Sequence, residues 1–207
     1  MAAIPPHRTG ERRTAVVDSG AMSAAVLMPV KAFARAKVRL APALPATERA
    51  ALARSMAEAV VRAAGGLPVS IVCDDDDVAA WAGGGGLDVL WTPGLGLNGA
   101  VEEGVRQLAE RGIDHVVVAH ADLPLADDLS WVARFPGVTL VPDRHDEGTN
   151  VIGIPAACGF RFSYGAGSFA RHRREAARLP LPTRVVRRAS LAWDVDVPAD
   201  LRHPAAS

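Results

Sequence analysis

Apolar positions along the chain gather in short unbroken runs rather than in strict alternation. "AAVLMPV" (Ala24–Val30), "VSIVC" (Val69–Cys73), "LDVLW" (Leu87–Trp91), Val116–Ala119 and "VTLVPD" are each too short for an ordinary helix. Continuous apolar runs of this length predict strands covered on both faces. Longer, polar-interrupted stretches separate them. "ERAALARSMAEAVVRAA" is an Ala-rich helix, with Thr47 as its cap and Gly65-Gly66 as its stop. "VAAWA" predicts a short helix that Gly83–Gly86 ends. "TPGLGLNGA" predicts a glycine-bearing loop leading into the helix "VEEGVRQLAERG", and "DDLSWVARF" a further helix. Strand and helix thus alternate, and the pattern predicts an α/β fold: a mostly parallel sheet with helices on both faces. After Asp143 the rhythm changes. "GTNVIGIP", "FRFSYGAGSFARH" and "WDVDVPADL" read as additions at the sheet edge plus a final helix.

Length and charge narrow the possibilities. The 207 residues suit one domain with a real core, placed at 23–203, and no internal repeat divides it. Residues 1–22 lack the apolar middle of a signal peptide and read as a mobile N-terminal tail; "HPAAS" reads as a frayed end. Basic and acidic residues number 23 each, so no global field argues for nucleic acid or a membrane surface as partner. No apolar run reaches the length of a membrane span. Cys73 and Cys158 lie far apart, which disfavours a disulfide framework and fits a cytoplasmic protein. Two cysteines and six histidines show no zinc-ligand spacing.

Three clusters carry candidate chemistry. Asp122 follows an apolar strand directly, and Pro124 stiffens the turn after it, so the carboxylate is presented at the end of the sheet where α/β folds bind ligands. A lone Asp there also serves as an ordinary turn cap. Asp194 and Asp196 stand two apart; in extended backbone both would point to one side, where like charges need a cation between them. A solvated loop is the plain alternative. Together with Asp122 they point to a hard divalent cation, Mg2+, held by oxygen ligands and shared with substrate phosphates. Lys31, Arg35, Lys37 and Arg39 form a basic loop straight after the first strand, at the phosphate end of such a sheet. Neither G-x-G-x-x-G nor a Walker pattern is present, so side-chain charge would take the place of a glycine cradle.

These pieces resemble a known family. "PVKAFARAKVRL", "GLN" (Gly96–Asn98), "HADLPL", "PDRHDEGTN", "FRFSYGAGSFARH" and "DVDVPADL" are together similar to the guanylyltransferases of coenzyme F-420 biosynthesis. The resemblance covers about Val26 to Leu201 and implies a nucleotidyltransferase of the glycosyltransferase-A-like, Rossmann-like fold. It implies a reaction in which GTP is joined to phosphoenolpyruvate or 2-phospho-L-lactate with release of pyrophosphate. By resemblance Asp122, Asp194 and Asp196 are the metal-binding acids, and Thr149, Gly165 and Ser168 hold the phosphorylated three-carbon acid. Lys31, Lys37, Arg39 and the Leu97-Asn98 region face GTP, and the assembly is a homodimer. Gly165 and Gly167 would let backbone N–H groups approach an anion, with Ser168 capping the following helix. A plain turn with an N-cap explains those same residues. Val38 departs from the family pattern, which has a small hydroxyl residue in "AK.RL", and the Gly83–Gly86 run departs as well. A molybdopterin guanylyltransferase-like enzyme, or a nucleotide-binding module without activity, are the competing readings; the missing glycine-rich first loop disfavours the former, and three retained carboxylates disfavour the latter.

Overall fold

The computed structural model describes residues 22–202. The tail read over residues 1–22 falls, apart from Met22, outside the described residues, as does "HPAAS". Seven strands form one mixed sheet: β1 (Ala24–Pro29), β2 (Val69–Cys73), β3 (Asp88–Trp91), β4 (His115–Ala119), β5 (Val138–Pro142), β6 (Thr149–Pro155) and β7 (Thr183–Val185). Their order is β3-β2-β1-β4-β6-β5-β7. The first four are mutually parallel, β6 runs antiparallel to both β4 and β5, and β7 is parallel to β5. Among the described residues six α-helices accompany them: α1 (Ala46–Ala63), α2 (Asp76–Gly84), α3 (Gly96–Glu110), α4 (Ser130–Ala133), α5 (Ser168–Arg178) and α6 (Ala189–Ala192).

The period of two along each strand sorts its side chains into two cores. Val26 and Met28 of β1 point to one face and pack with Ala57 and Val60 of α1, Val78 of α2, Val132 of α4 and Leu191 of α6. Ala25 and Leu27 point to the other and pack with Val101, Val105 and Leu108 of α3 and Phe169 and Ala176 of α5. Strands buried on both sides explain why the sequence shows unbroken apolar runs. Close approach of α3 to the sheet depends on Gly104, where a Cβ would fall 2.7 Å from Val72 and 2.9 Å from Leu27.

Several expectations need correction. Thr47 does not cap α1: the helix starts at Ala46 behind Pro45, and no side chain caps it. The "GLN" stretch is no loop but the first turn of α3. The helix expected over "DDLSWVARF" contracts to the four residues of α4. "GTNVIGIP" is not an edge addition. As β6 it occupies the interior of the sheet, between β4 and β5. "WDVDVPADL" forms no strand and closes in a short 3-10 helix, Pro198–Leu201.

The chain order places the crevice. β1 has β2 on one side and β4 on the other, so the crossovers leaving β1 and β4 diverge to opposite sides of the sheet. Ligands of open α/β sheets bind beyond the carboxyl ends of strands at such a point.

Candidate active site

β1 and β4 deliver their following residues to this crevice. β1 runs into two short 3-10 helices, Phe33–Arg35 and Val38–Leu40, which carry the basic loop. Phe33 and Leu40 anchor it: both are buried, and Leu40 packs with Met56 and Val195. Lys37 adopts a left-handed conformation (φ 54°) between them. That turn sends its side chain inward, so that Nζ donates to Asp122 Oδ2 at 2.6 Å and to Asp196 Oδ1 at 3.0 Å. Arg39 stays mostly exposed, 3.7 Å from Asp196, and Lys31 is exposed.

Asp122 and the Asp194/Asp196 pair come from distant parts of the sequence and meet here. The Asp122 carbonyl accepts from Val195 N–H, which splices the acidic segment onto the end of β4. Burial opposes ionisation of Asp122, but the charges of Lys37 and His120 and the Lys37 hydrogen bond outweigh it and hold the carboxyl below its ordinary range. Burial likewise opposes the charge on Lys37, yet Asp122 and Asp196 raise its pKa. Asp194 moves the other way. Burial, then repulsion from Asp122 and Asp196, raises its pKa, and Arg144 offsets only part of that.

Arg144 is the organiser of this segment and was not singled out from the sequence. Its guanidinium donates to the Asp194 carbonyl at 3.0 Å and to Asp200 Oδ1 at 2.5 Å, and lies 4.3 Å from the Trp193 ring centroid. Asp200, in turn, accepts from the N–H groups of Asp196 (2.7 Å) and Val197 (2.8 Å). The "PDR" signal is therefore structural: Asp143 folds the loop by accepting from the N–H groups of His145, Glu147 and Gly148, and Arg144 carries that loop to the acids.

Among the described residues no group of three or more His, Cys, Asp or Glu side chains is arranged to hold a metal ion. The chemistry of the donors nevertheless fits a hard cation. Asp122 Oδ1 is buried without a hydrogen-bond partner, and Asp194 faces two other carboxylates.

Two cavities open on this crevice and share Pro29, Val30, Lys31, Arg35 and Leu97. One, of about 320 Å³, extends over the ends of β1, β2 and β3 and is lined also by Val72, Asp74, Thr92, Gly96 and Ala100. The other, of about 400 Å³, extends over the end of β4 and is lined by Lys37, Arg39, His120, Asp122 and Asp196. Leu97 thus touches both. Asn98 does not reach into either: its Oδ1 accepts from Tyr164 N–H at 2.7 Å, bolting α3 to the 160–168 loop.

Thr149, Gly165 and Ser168 line neither cavity. Thr149 opens β6 and is buried. Gly165 sits at φ +114° in an exposed turn, a conformation that L side chains rarely adopt. Ser168 is the first residue of α5, not its cap; Gly167 occupies that position, and no side chain caps the helix. A buried ring cluster connects this trio to the crevice. His120 lies 4.8 Å from Tyr164, and Tyr164 4.9 Å from His172, centroid to centroid. His172 Nε2 accepts from Ser163 N–H at 2.9 Å, which fixes the ring proton on Nδ1, donated to Thr149 Oγ1 at 3.0 Å. Burial first, then the charge of Arg171, lowers the His172 pKa to about 4. His120 Nε2 and the Tyr164 hydroxyl are buried and unpartnered. The sequence signal for these three residues was present in "HADLPL" and "FRFSYGAGSFARH", but nothing local shows that their rings meet, tilted or edge-on.

Known proteins match this architecture. A Methanothermobacter nucleotidyl transferase superposes with a TM-score of 0.62 at 13% identity, over 86% of this chain and 94% of that one, which establishes the fold. The phosphoenolpyruvate guanylyltransferase of Sphaerobacter thermophilus is 38% identical over 87% of this chain and 91% of its own length. That of Rubrobacter xylanophilus is 35% identical over 90% and 95%. The family model described as "Guanylyl transferase CofC like" matches residues 24–203, the whole sheet together with the acidic segment. With Asp122, Asp194 and Asp196 gathered at one end of its sheet and its described core matched from end to end, the chain belongs to the CofC-like guanylyl transferase family.

Proposed function

We propose that the protein transfers the guanylyl group of GTP to phosphoenolpyruvate, releasing pyrophosphate and giving the diphosphoguanosine-activated acid used in coenzyme F-420 biosynthesis. The observation that carries this reading is the convergence of the three aspartates with Lys31, Arg35 and Arg39 at the crevice. The names of the relatives favour phosphoenolpyruvate over 2-phospho-L-lactate.

An oxygen of the acceptor phosphate attacks the α-phosphorus of GTP; the new P–O bond forms as the bond to the β-phosphate bridging oxygen breaks, and pyrophosphate leaves with that electron pair. A phosphomonoester with a second pKa of about 6 is mostly dianionic near neutrality, so no general base is needed. The obstacle is bringing two anions together, which makes positioning and electrostatics the whole of the catalysis. Lys31, Arg35 and Arg39 offset triphosphate charge on the nucleotide side. Asp122 and Asp194, with Asp196, would hold Mg2+, which supplies further positive charge to phosphate oxygens when bound. Lys37 holds Asp122 and Asp196 in register. Thr149, Gly165 and Ser168 bind the acid, and His172 orients the Thr149 hydroxyl.

A panel of each nucleoside triphosphate against phosphoenolpyruvate and 2-phospho-L-lactate, scored by pyrophosphate release with magnesium present, tests this. GTP with phosphoenolpyruvate is the expected best pair. No pyrophosphate from any pair, or a clear preference for another nucleotide, would sink it.

A further inference from the structure

The nucleotide side of the crevice holds a carboxylate that the chemistry above leaves unused. β2 ends at Cys73, and Asp74, Asp75, Asp76 and Asp77 follow. Three of these serve α2. Asp75 is its N-cap and accepts from Val78 N–H at 3.2 Å. Asp76 and Asp77 lie in the first turn, where the helix dipole favours negative charge. Asp74 takes no part in this. It is exposed, none of the described residues makes a hydrogen bond or ion pair to its carboxylate, and it lines the first cavity.

The two cavities assign ends to a bound nucleotide. Lys31 and Arg35 belong to both, so the triphosphate lies where they meet. Asp122 and Asp196, beside the reacting phosphates, line only the second. The nucleoside therefore extends into the first, whose own walls at Val72 and Ala100, together with the shared Val30 and Leu97, suit a planar ring. Asp74 lines that compartment and not the other.

A carboxylate offers two acceptors side by side. The pairing edge of guanine offers two adjacent donors, N1–H and the N2 amino group, in matching spacing. Adenine and cytosine present a ring-nitrogen acceptor where guanine has N1–H. Uracil presents one donor flanked by carbonyl oxygens, which repel a carboxylate. We propose that Asp74 reads the guanine base by accepting hydrogen bonds from N1–H and the N2 amino group, and so sets the choice of nucleotide. The proposal rests on the guanylyl-transfer reading above. A ribose hydroxyl is the rival ligand for an acid after an early strand of an α/β sheet. The ribose adjoins the phosphates, however, whereas Asp74 stands apart from the second cavity altogether.

Equilibrium binding separates this claim from the reaction itself, because it needs no acceptor. GTP, ITP (which lacks the N2 amino group) and 2′-deoxy-GTP are titrated calorimetrically into the full chain and into Asp74→Ala and Asp74→Asn, with magnesium present. Wild type should bind GTP about tenfold more tightly than ITP, the worth of one charge-assisted hydrogen bond. In Asp74→Ala that ratio should fall to within twofold of unity, and Asp74→Asn should resemble it. Equal binding of GTP and ITP by wild type would overturn the proposal. So would a GTP-to-ITP ratio unchanged in both variants, or a loss on mutation that disappears with 2′-deoxy-GTP, which would move Asp74 to the ribose. Failure of the guanylyl-transfer reading would appear instead as absent pyrophosphate release, whatever the binding ratios.

Discussion

Acid should loosen this protein through His172, and the size of the effect follows from its surroundings. The imidazole is fully buried, its Nε2 accepts from Ser163 N–H, and its Nδ1–H is committed to Thr149. Protonation would place a second N–H against that of Ser163. The folded-state pKa is accordingly lowered from 6.5 to about 4, with burial the largest cause. A depressed pKa means that the unfolded chain binds the proton first. The stabilisation is complete above the unfolded value, and falls progressively as pH drops from about 6.5 toward 4. At about 1.36 kcal/mol per unit, the loss between pH 7.5 and pH 4.5 is on the order of 2–3 kcal/mol for this one residue. His115, buried without hydrogen bonds to its ring and lowered to about 4 by burial and then Arg184, adds a similar amount. His172→Gln keeps an acceptor for Ser163 but cannot take up the proton. Urea denaturation of wild type and variant across that pH range provides the assay. The variant should start less stable and then lose roughly 2–3 kcal/mol less than wild type on acidification, leaving the His115 share. Parallel curves for the two proteins would refute the assignment of the proton-sensitive hydrogen bonds to His172.

Three further outcomes are expected. Asp122→Asn should fold and yet release pyrophosphate at least about a hundredfold more slowly, the scale seen when one charge-stabilising group is removed from a site; wild-type turnover would remove Asp122 from the catalytic machinery. Ser168→Ala should raise KM for the acid about tenfold while leaving KM for GTP within twofold, the loss of one hydrogen bond to an anion; equal effects on both substrates would place Ser168 outside the acceptor pocket. Arg144→Met leaves the Asp200 carboxylate with its backbone N–H partners but without its cation, so it should cost about 2–4 kcal/mol of stability by chemical denaturation; a change below about 0.5 kcal/mol would show that the pair contributes nothing.

The frame of the molecule was legible because strands covered on both faces must be apolar throughout. β1, β2, β4 and β5 stand out for that reason. β6 did not read as an interior strand, since it opens on Thr149-Asn150, ends on Pro155 and carries Gly153, all features of an edge. Gly153 is required there: a Cβ would approach Val132 to 2.5 Å. Leu97 and Asn98 looked like loop residues because glycines surround them, yet packing of Val101, Val105 and Leu108 draws α3 back to Gly96. The acids at 122, 194 and 196 were legible as candidates, but the Lys37 bridge between two of them was not. Its partners lie 85 and 159 positions away, and only the left-handed turn at Lys37 turns the ammonium toward them. Arg144 and His172 escaped for the same reason, as their partners are set by how loops cross rather than by local pattern.

The reversed direction of β6 has a consequence for how such an enzyme can diversify. Because β6 runs against β4, Thr149 at its start meets the exit of β4, with Asn150 accepting from His120 N–H. Run the other way, the strand would bring Pro155 to that lip instead. On the proposed assignment, one inverted strand thus divides labour along the chain: the first half of the polypeptide would grip the nucleotide, and the second half would present the acceptor. Exposed positions of the 160–167 loop can then change for a different phosphorylated acid, while Arg144 keeps its hold on the acidic segment and Asn98 its hold on Tyr164 N–H.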